Sequence, residues 1–258
     1  MKYSMFSWFG YFMPFAERIK LIKEAGFDEA MISWEDELEP HAMKKEEFPE
    51  LVRNMGLGIT NIHAPFVGYN DIWEKEIKDN RTLLTRFRNI VKDCSTFDIP
   101  TVVVHTCDMD LGEHKWENGL AFFSELAEAG ERYGINIAVE NVSRQYLLTG
   151  LLDAINTEHF GMCYDSSHDY MLHCGRGRIL KKYKDRIKAL HLSDNDLHMD
   201  RHWIPGEGQI PFHEIMPEIL STGIEFLSYE VSSNGETREP LEFCQTVRKS
   251  LDIQNNNF

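Results

Sequence analysis

Between Ile187 and Pro211 the chain reads IKALHLSDNDLHMDRHWIPGEGQIP and carries His191, Asp194, Asp200, His202 and Glu207. So many ligating side chains make the segment too polar for a core. Its first half has the β-branched and apolar content of a short buried strand, and a buried strand that ends in His and Asp delivers ligands to its own mouth. Asp200 and His202 are two residues apart, so in extended backbone both side chains leave from one side and could share an ion. The glycines of PGEG at 205–208 are expected to turn the backbone close to whatever is bound. Imidazole mixed with carboxylate suits a borderline divalent ion such as zinc, manganese or cobalt.

The same kind of ending recurs along the chain. NIHAP closes an apolar run with His63, VVVHT with His105 and IAVEN with Glu140; CYDSSH supplies Asp165 and His168, and LSYEV supplies Glu230. A single histidine closing an apolar run is more often a hydrogen-bonded structural residue than a ligand. Six consecutive runs ending in His, Asp or Glu require one explanation for all of them. The first two runs end differently: SWFGYF places Trp8, Phe9, Tyr11 and Phe12, and ISWED places Trp34. Aromatic walls suit the apolar face of a sugar or the shielding of a reactive intermediate, and Trp8 and Trp34 are expected near the ligand.

Elements that could bring these ends together follow from the alternation of short apolar runs with longer stretches of helical spacing. Strands are expected at 2–9, 29–34, 58–63, 101–106, 136–140, 160–165, 187–193 and 226–231. Helices are expected near 14–25, 43–55, 74–97, 116–133, 149–157, 178–184, 212–222 and 239–252. Gly26, Gly56, Gly134 and Gly223 each follow a helical run and precede a strand, as a helix C-cap should. Eight βα units predict the α/β class and a closed (β/α)8 TIM barrel, whose active site lies at the carboxyl ends of the strands. No linker or composition shift divides the 258 residues, so one domain spanning 1–258 is expected, with the polar tail QNNNF fraying.

A composition of 42% hydrophobic and 27% charged residues places the chain among ordinary soluble globular proteins. The formal net charge of −15 opposes loading onto a polyanion, which favours a small-molecule substrate over nucleic acid. No apolar run is long enough to span a bilayer, and MKYSMFSWFG lacks the features of a signal peptide, so a cytoplasmic location without membrane attachment is expected. Cys94, Cys107, Cys163, Cys174 and Cys244 are odd in number and show no CxxC spacing. They are expected to be reduced core or surface thiols.

At IHAP (62–65), VVVH (102–105), VEN (139–141), YDSSH (164–168), HLSD (191–194), DRH (200–202), PGEG (205–208) and Glu230 the chain resembles the xylose isomerase-like TIM-barrel superfamily. That superfamily holds sugar isomerases and epimerases as well as the endonuclease IV group, and the resemblance covers nearly the whole chain. The endonuclease IV pattern implies that His63, His105 and Glu140 hold one zinc and that Glu140, Asp165, His191 and Glu230 hold a second. It assigns His168, Asp200 and His202 to a third. The ketose 3-epimerase pattern implies a single manganese or similar ion on Glu140, Asp165, His191 and Glu230, with Glu140 and Glu230 also moving the proton. The opening SWFGYFMPFAERIKLIKEAGFDEAMIS resembles the sugar-isomerase branch and departs from the glycine-rich turn of endonuclease IV.

The expected activity is therefore a metal-dependent sugar or sugar-phosphate isomerase or epimerase that abstracts a proton next to a carbonyl and passes through an enediolate. Glu140 and Glu230 are its catalytic residues, and Trp8, Trp34, His168 and Arg201 its substrate contacts. Its cofactor is one divalent ion, zinc or manganese, with room in the ligand set for up to three. Its partner is a small sugar or sugar phosphate, with homo-oligomerisation left open. The rival expectation is an endonuclease IV-like trinuclear-zinc phosphodiester hydrolase, for which Arg144, Arg176, Arg178 and Arg201 would supply basic surface.

Overall fold

Each of the eight short apolar runs forms a strand: β1 Lys2–Phe6, β2 Glu29–Ser33, β3 Gly58–His63, β4 Thr101–His105, β5 Asn136–Glu140, β6 Phe160–Asp165, β7 Ile187–His191 and β8 Phe226–Tyr229. The structure, a computed structural model, describes residues 1–171, 175–235 and 237–251. The strands are hydrogen-bonded in the order β7-β6-β5-β4-β3-β2-β1-β8. A parallel bridge from Leu192 to Tyr229 continues the pairing from the end of β7 to β8. Parallel strands in sequence order with helical crossovers make a single (β/α)8 TIM barrel.

Two compact units are distinguished within the chain. The first takes in Met1–Thr60, Asp165–Lys184 and the chain from Leu190 onward. In it the helices α1 (Phe15–Glu24), α2 (Phe48–Asn54), α7 (Ser166–Tyr170), α8 (Arg178–Tyr183), α9 (Phe212–Leu220) and α10 (Pro240–Ser250) accompany β1, β2, β8 and the last residues of β7. Phe15 and Phe48 stack with ring centroids 4.1 Å apart between α1 and α2. The second unit, Asn61–Tyr164 with Asp185–Ala189, contains α3 (Asp71–Glu74), α4 (Arg81–Thr96), α5 (Trp116–Tyr133) and α6 (Gln145–Ala154). In α4 the buried Leu84, Phe87, Ile90, Val91 and Cys94 recur at helical spacing and form one apolar stripe.

The differences from the sequence expectation have local causes. The helix expected near 74–97 starts later, at Arg81, after the short α3 over Asp71–Glu74, and the side-chain amide of Asn80 at its N-cap donates to the carbonyl of Asp71. The Trp73 ring lies where a Cβ on Gly119 would be, and its Nε1–H donates to the carbonyl of Thr106 (2.7 Å). The helix expected at 149–157 runs instead over Gln145–Ala154. Gly150 sits inside it because the Trp116 ring stands 2.7 Å from where a Cβ would be. The unexpected α7 starts at Asp165, whose carboxylate accepts the backbone N–H of His168 at 2.6 Å and caps the helix.

The glycine C-caps are found as expected: Gly134 ends α5 at φ +67°, and Gly26, Gly56 and Gly223 also have positive φ. Strands β1, β7 and β8 stop earlier than expected, so Trp8, Ser193 and Glu230 lie just beyond the ladder. Cys94, Cys107, Cys163 and Cys244 are buried and form no disulfide among the described residues. Cys174 and the tail QNNNF lie outside the described residues. No described helix is long and apolar enough to cross a membrane.

Candidate metal centre

In the second unit, β3, β4 and β5 run side by side, with His63 registered on Val103 and His105 on Glu140. Their carboxyl ends therefore deliver two imidazoles and a carboxylate to one place. His63 Nε2 lies 3.3 Å from Glu140 Oε2, and His105 Nε2 lies 3.7 Å from the same oxygen. His63, His105 and Glu140 offer ligand atoms that all lie within 4.8 Å of one another. His63 and Glu140 are each 1% exposed. Phe66 stacks on His63 at 4.3 Å and Tyr69 on His105 at 4.9 Å, walling the cluster with rings. Burial pushes the Tyr69 phenol up, so it stays neutral.

These residues fit a cation. His63 Nδ1 is 2.7 Å from the carbonyl of Ala64, an acceptor, so Nδ1 carries the proton. Nε2 then faces the Glu140 carboxylate, and two acceptors at that separation require a positive charge, either a proton or a metal ion. A ligating histidine whose other nitrogen donates to a backbone carbonyl is a common metal-site arrangement.

In the first unit, β7 and β8 bring His191 Nδ1 to 3.0 Å from Glu230 Oε2. Asp165 is fully buried at the end of β6, with its Oδ1 3.5 Å from His168 Nδ1. His168 Nε2 and His202 Nε2 converge on Asp200 Oδ2 at 3.2 and 2.8 Å, while the Ser167 hydroxyl donates to Oδ1 at 2.7 Å. His202 adopts φ +49°, a left-handed conformation that costs roughly 1–2 kcal/mol for a residue with a Cβ. There its Nδ1 reaches the carbonyl of Glu230 at 3.0 Å. Burial works most strongly against a charge on His202, but the hydrogen bond to Asp200 together with the negative charges of Asp200, Glu230 and Asp165 outweighs it, and the imidazole is pushed up to about 10. Burial would raise Asp200, yet the hydrogen bonds from His168 and His202 hold it well below the usual carboxylate range.

Two residues of the opening motif have structural duties instead. Asp194 accepts four backbone N–H groups, from Asn195 and Ile210 on Oδ1 and from Gly206 and Gly208 on Oδ2, at 2.8–3.0 Å. The PGEG turn thus wraps a buried carboxylate of its own chain. Glu207 pairs with Arg238 at 2.5 Å.

Of the expected substrate contacts, Trp8 is 43% exposed with the Arg18 guanidinium 5.0 Å from its ring, whereas Trp34 is 2% exposed. Arg201 binds Asp196 through Nε (2.9 Å) and lies 5.9 Å from the Trp203 ring. Arg144 donates to the carbonyl of Leu111 and Arg178 to that of Gly175. Arg176, at φ +48°, donates its backbone N–H to the Asp169 carbonyl. Ser167, missed in the sequence, was signalled only by its place between Asp165 and His168.

An inosose isomerase of Bacillus velezensis is 22% identical over 212 residues, which span 74% of this chain and 74% of that one. A structure described as a D-tagatose 3-epimerase-like protein superposes with a TM-score of 0.79 at 23% identity, over 99% of this chain and 98% of that one. The IolI protein with a bound zinc atom superposes with a TM-score of 0.78 at 17% identity, over 97% and 96%. The profile of the xylose isomerase-like TIM barrel family matches residues 19–247, and the chain belongs to that family.

Proposed function

We propose that this chain is a divalent-metal-dependent sugar isomerase or epimerase, working as one domain over residues 1–258. The observation that carries the reading is a pair of buried glutamates at strand ends, Glu140 at 1% and Glu230 at 7% exposure, each facing imidazole nitrogen. An inosose isomerase and a tagatose 3-epimerase-like protein among the similar proteins support the same class of substrate.

Glu140, Asp165, His191 and Glu230 would hold the principal ion, because the carboxyl ends of strands in such a barrel line its active site. The ion would polarise the carbonyl and neighbouring hydroxyl oxygens of a ketose or cyclic ketone. Glu140 and Glu230 divide the proton work: one accepts the proton from the carbon next to the carbonyl and the other returns one. Phe66 and Tyr69 keep water from the His63 and His105 side of Glu140. Trp8, Trp34, His168 and Arg201 are the proposed substrate contacts.

The test is solvent deuterium uptake into D-tagatose, D-fructose and an inosose, with metal content measured on the same samples. Glu140→Gln and Glu230→Gln keep size and an oxygen ligand but lose basicity, so each should retain metal and lose exchange by a factor of about 10²–10⁴. Wild-type exchange in both variants would defeat the assignment. A second reading, the trinuclear hydrolase, is favoured only by the ligands left over: His63 and His105, and the His168–Asp200–His202 cluster.

A further inference from the structure

The bridge between Leu192 and Tyr229 fixes the register at the ends of β7 and β8. Leu192 donates its N–H to the Ser228 carbonyl (2.9 Å) and accepts the N–H of Glu230 (3.2 Å). In a parallel ladder that places His191 level with Ser228 and Ser193 level with Glu230, on neighbouring strands about 4.8 Å apart. Side chains alternate along a strand, so 191 and 193 share one face, as do 228 and 230. The approach of His191 Nδ1 to Glu230 Oε2 at 3.0 Å identifies that face as the one carrying the candidate ligands.

Ser193 is fully buried. Its backbone is satisfied by one side chain, since its N–H donates to Ser166 Oγ (3.1 Å) and its carbonyl accepts the Ser166 hydroxyl (2.8 Å). Ser193 Oγ itself has no hydrogen-bond partner among the described residues. A buried hydroxyl without a partner costs about 1–3 kcal/mol. A hydroxyl retained beside a carboxylate at that cost has its use in a state with a different hydrogen-bond pattern.

We propose that Ser193 is a positioning residue: its hydroxyl donates to the Glu230 carboxylate when Glu230 and His191 together hold a divalent ion. Glu230 Oε2 is turned to His191 Nδ1. With a cation on that oxygen and that nitrogen, a donor level with Glu230 can hold the orientation of its carboxylate, and the hydroxyl of Ser193 is on that level and that face. Ligating carboxylates are held in this way by neighbouring donors, and loss of such a donor weakens metal binding by about 10–100-fold. The proposal rests on the metal-dependent reading and adds a residue that no expected ligand set contains.

The test uses the purified full chain stripped with chelator, the variant Ser193→Ala, and two measurements without turnover. One is the dissociation constant for Mn2+ and for Zn2+, by competition with a chelating dye. The other is the thermal midpoint of the metal-free protein. Removing an unpartnered buried hydroxyl leaves the metal-free midpoint equal or higher, while the dissociation constant rises about tenfold or more. A constant within twofold of wild type overturns the proposal, and so does a metal-free midpoint several degrees lower, which would make the hydroxyl a structural one. If the wild type binds neither ion, the metal-dependent reading itself fails; if it binds them and Ser193→Ala is indifferent, only the role of Ser193 fails.

Discussion

Glu140 Oε2 and His63 Nε2 face each other at 3.3 Å while the second nitrogen of His63 is committed to the carbonyl of Ala64. Two lone-pair-bearing atoms held this way, nearly sealed from solvent, repel unless a positive charge joins them.

The metal count distinguishes that pair from the principal ligand set proposed above. Protein purified without chelator is expected to carry one divalent ion per chain by elemental analysis. Alanine at Asp165 or His191 should remove it. His63→Ala and His105→Ala should leave it in place and reduce only any additional ions. Three zinc ions per chain in the wild type, falling to two in His63→Ala, would move the chemistry toward hydrolysis.

Much of this centre is legible in the sequence because six consecutive apolar runs close in His, Asp or Glu, a recurrence that carries what no single ending does. His63, His105, Glu140, Asp165 and His191 all terminate strands. Other features are hidden for physical reasons. Asp194 has the same type and neighbourhood as a ligand, and only the four N–H groups folded over it from residues 195–210 assign it to the loop. Ser193 stands in the HLSD motif without a role that the sequence assigns, because its significance is a register between two strands. The helix α6 is displaced from its expected span because Gly150 sits within a helix against Trp116, a contact between residues 34 positions apart.

The PGEG turn separates two reasons for glycine. Gly206 has φ +94° and open space around a would-be Cβ, so Gly206→Ala should cost about 1 kcal/mol through backbone conformation alone. At Gly208 a Cβ would collide with the carbonyl of Asn195 and the Asp194 carboxylate. Gly208→Ala should therefore cost more, about 1–3 kcal/mol for overpacking with added loss from the Asp194 hydrogen bonds. Urea unfolding of both variants checks the ranking; equal losses would mean that the turn is less tightly wrapped on Asp194 than the structure has it.

Duplex DNA provides the check on the hydrolase alternative. Binding a duplex releases counterions only where basic groups meet phosphates, and the chain has a net charge of −15. Arg201 is already paired with Asp196, and Arg144 and Arg178 donate to backbone carbonyls. No binding to abasic or intact duplex tighter than about 10⁻⁴–10⁻⁶ M is expected at physiological salt by fluorescence anisotropy. Zinc-dependent nicking of abasic DNA at nanomolar protein would reverse the functional reading.

The acid limb of stability should report on the turn that carries Asp200. Asp196 accepts the backbone N–H groups of Met199 (3.0 Å) and His198 (2.9 Å) and the Nε–H of Arg201 (2.9 Å). The Met199 N–H, then Arg201, then the His198 N–H hold its carboxyl down at about 2, below its usual 3.8. A carboxylate lowered in the folded state binds its proton more readily in the unfolded chain. Its contribution is therefore complete above its unfolded value and is lost as pH falls through about 4 to about 2. Asp196→Asn keeps the shape but cannot accept as a carboxylate. Its unfolding midpoint should lie below wild type at pH 6 and meet it near pH 2, with the gap closing over the interval between the two values. A gap that persists unchanged down to pH 2 would show that the side chain acts through shape and not through its charge.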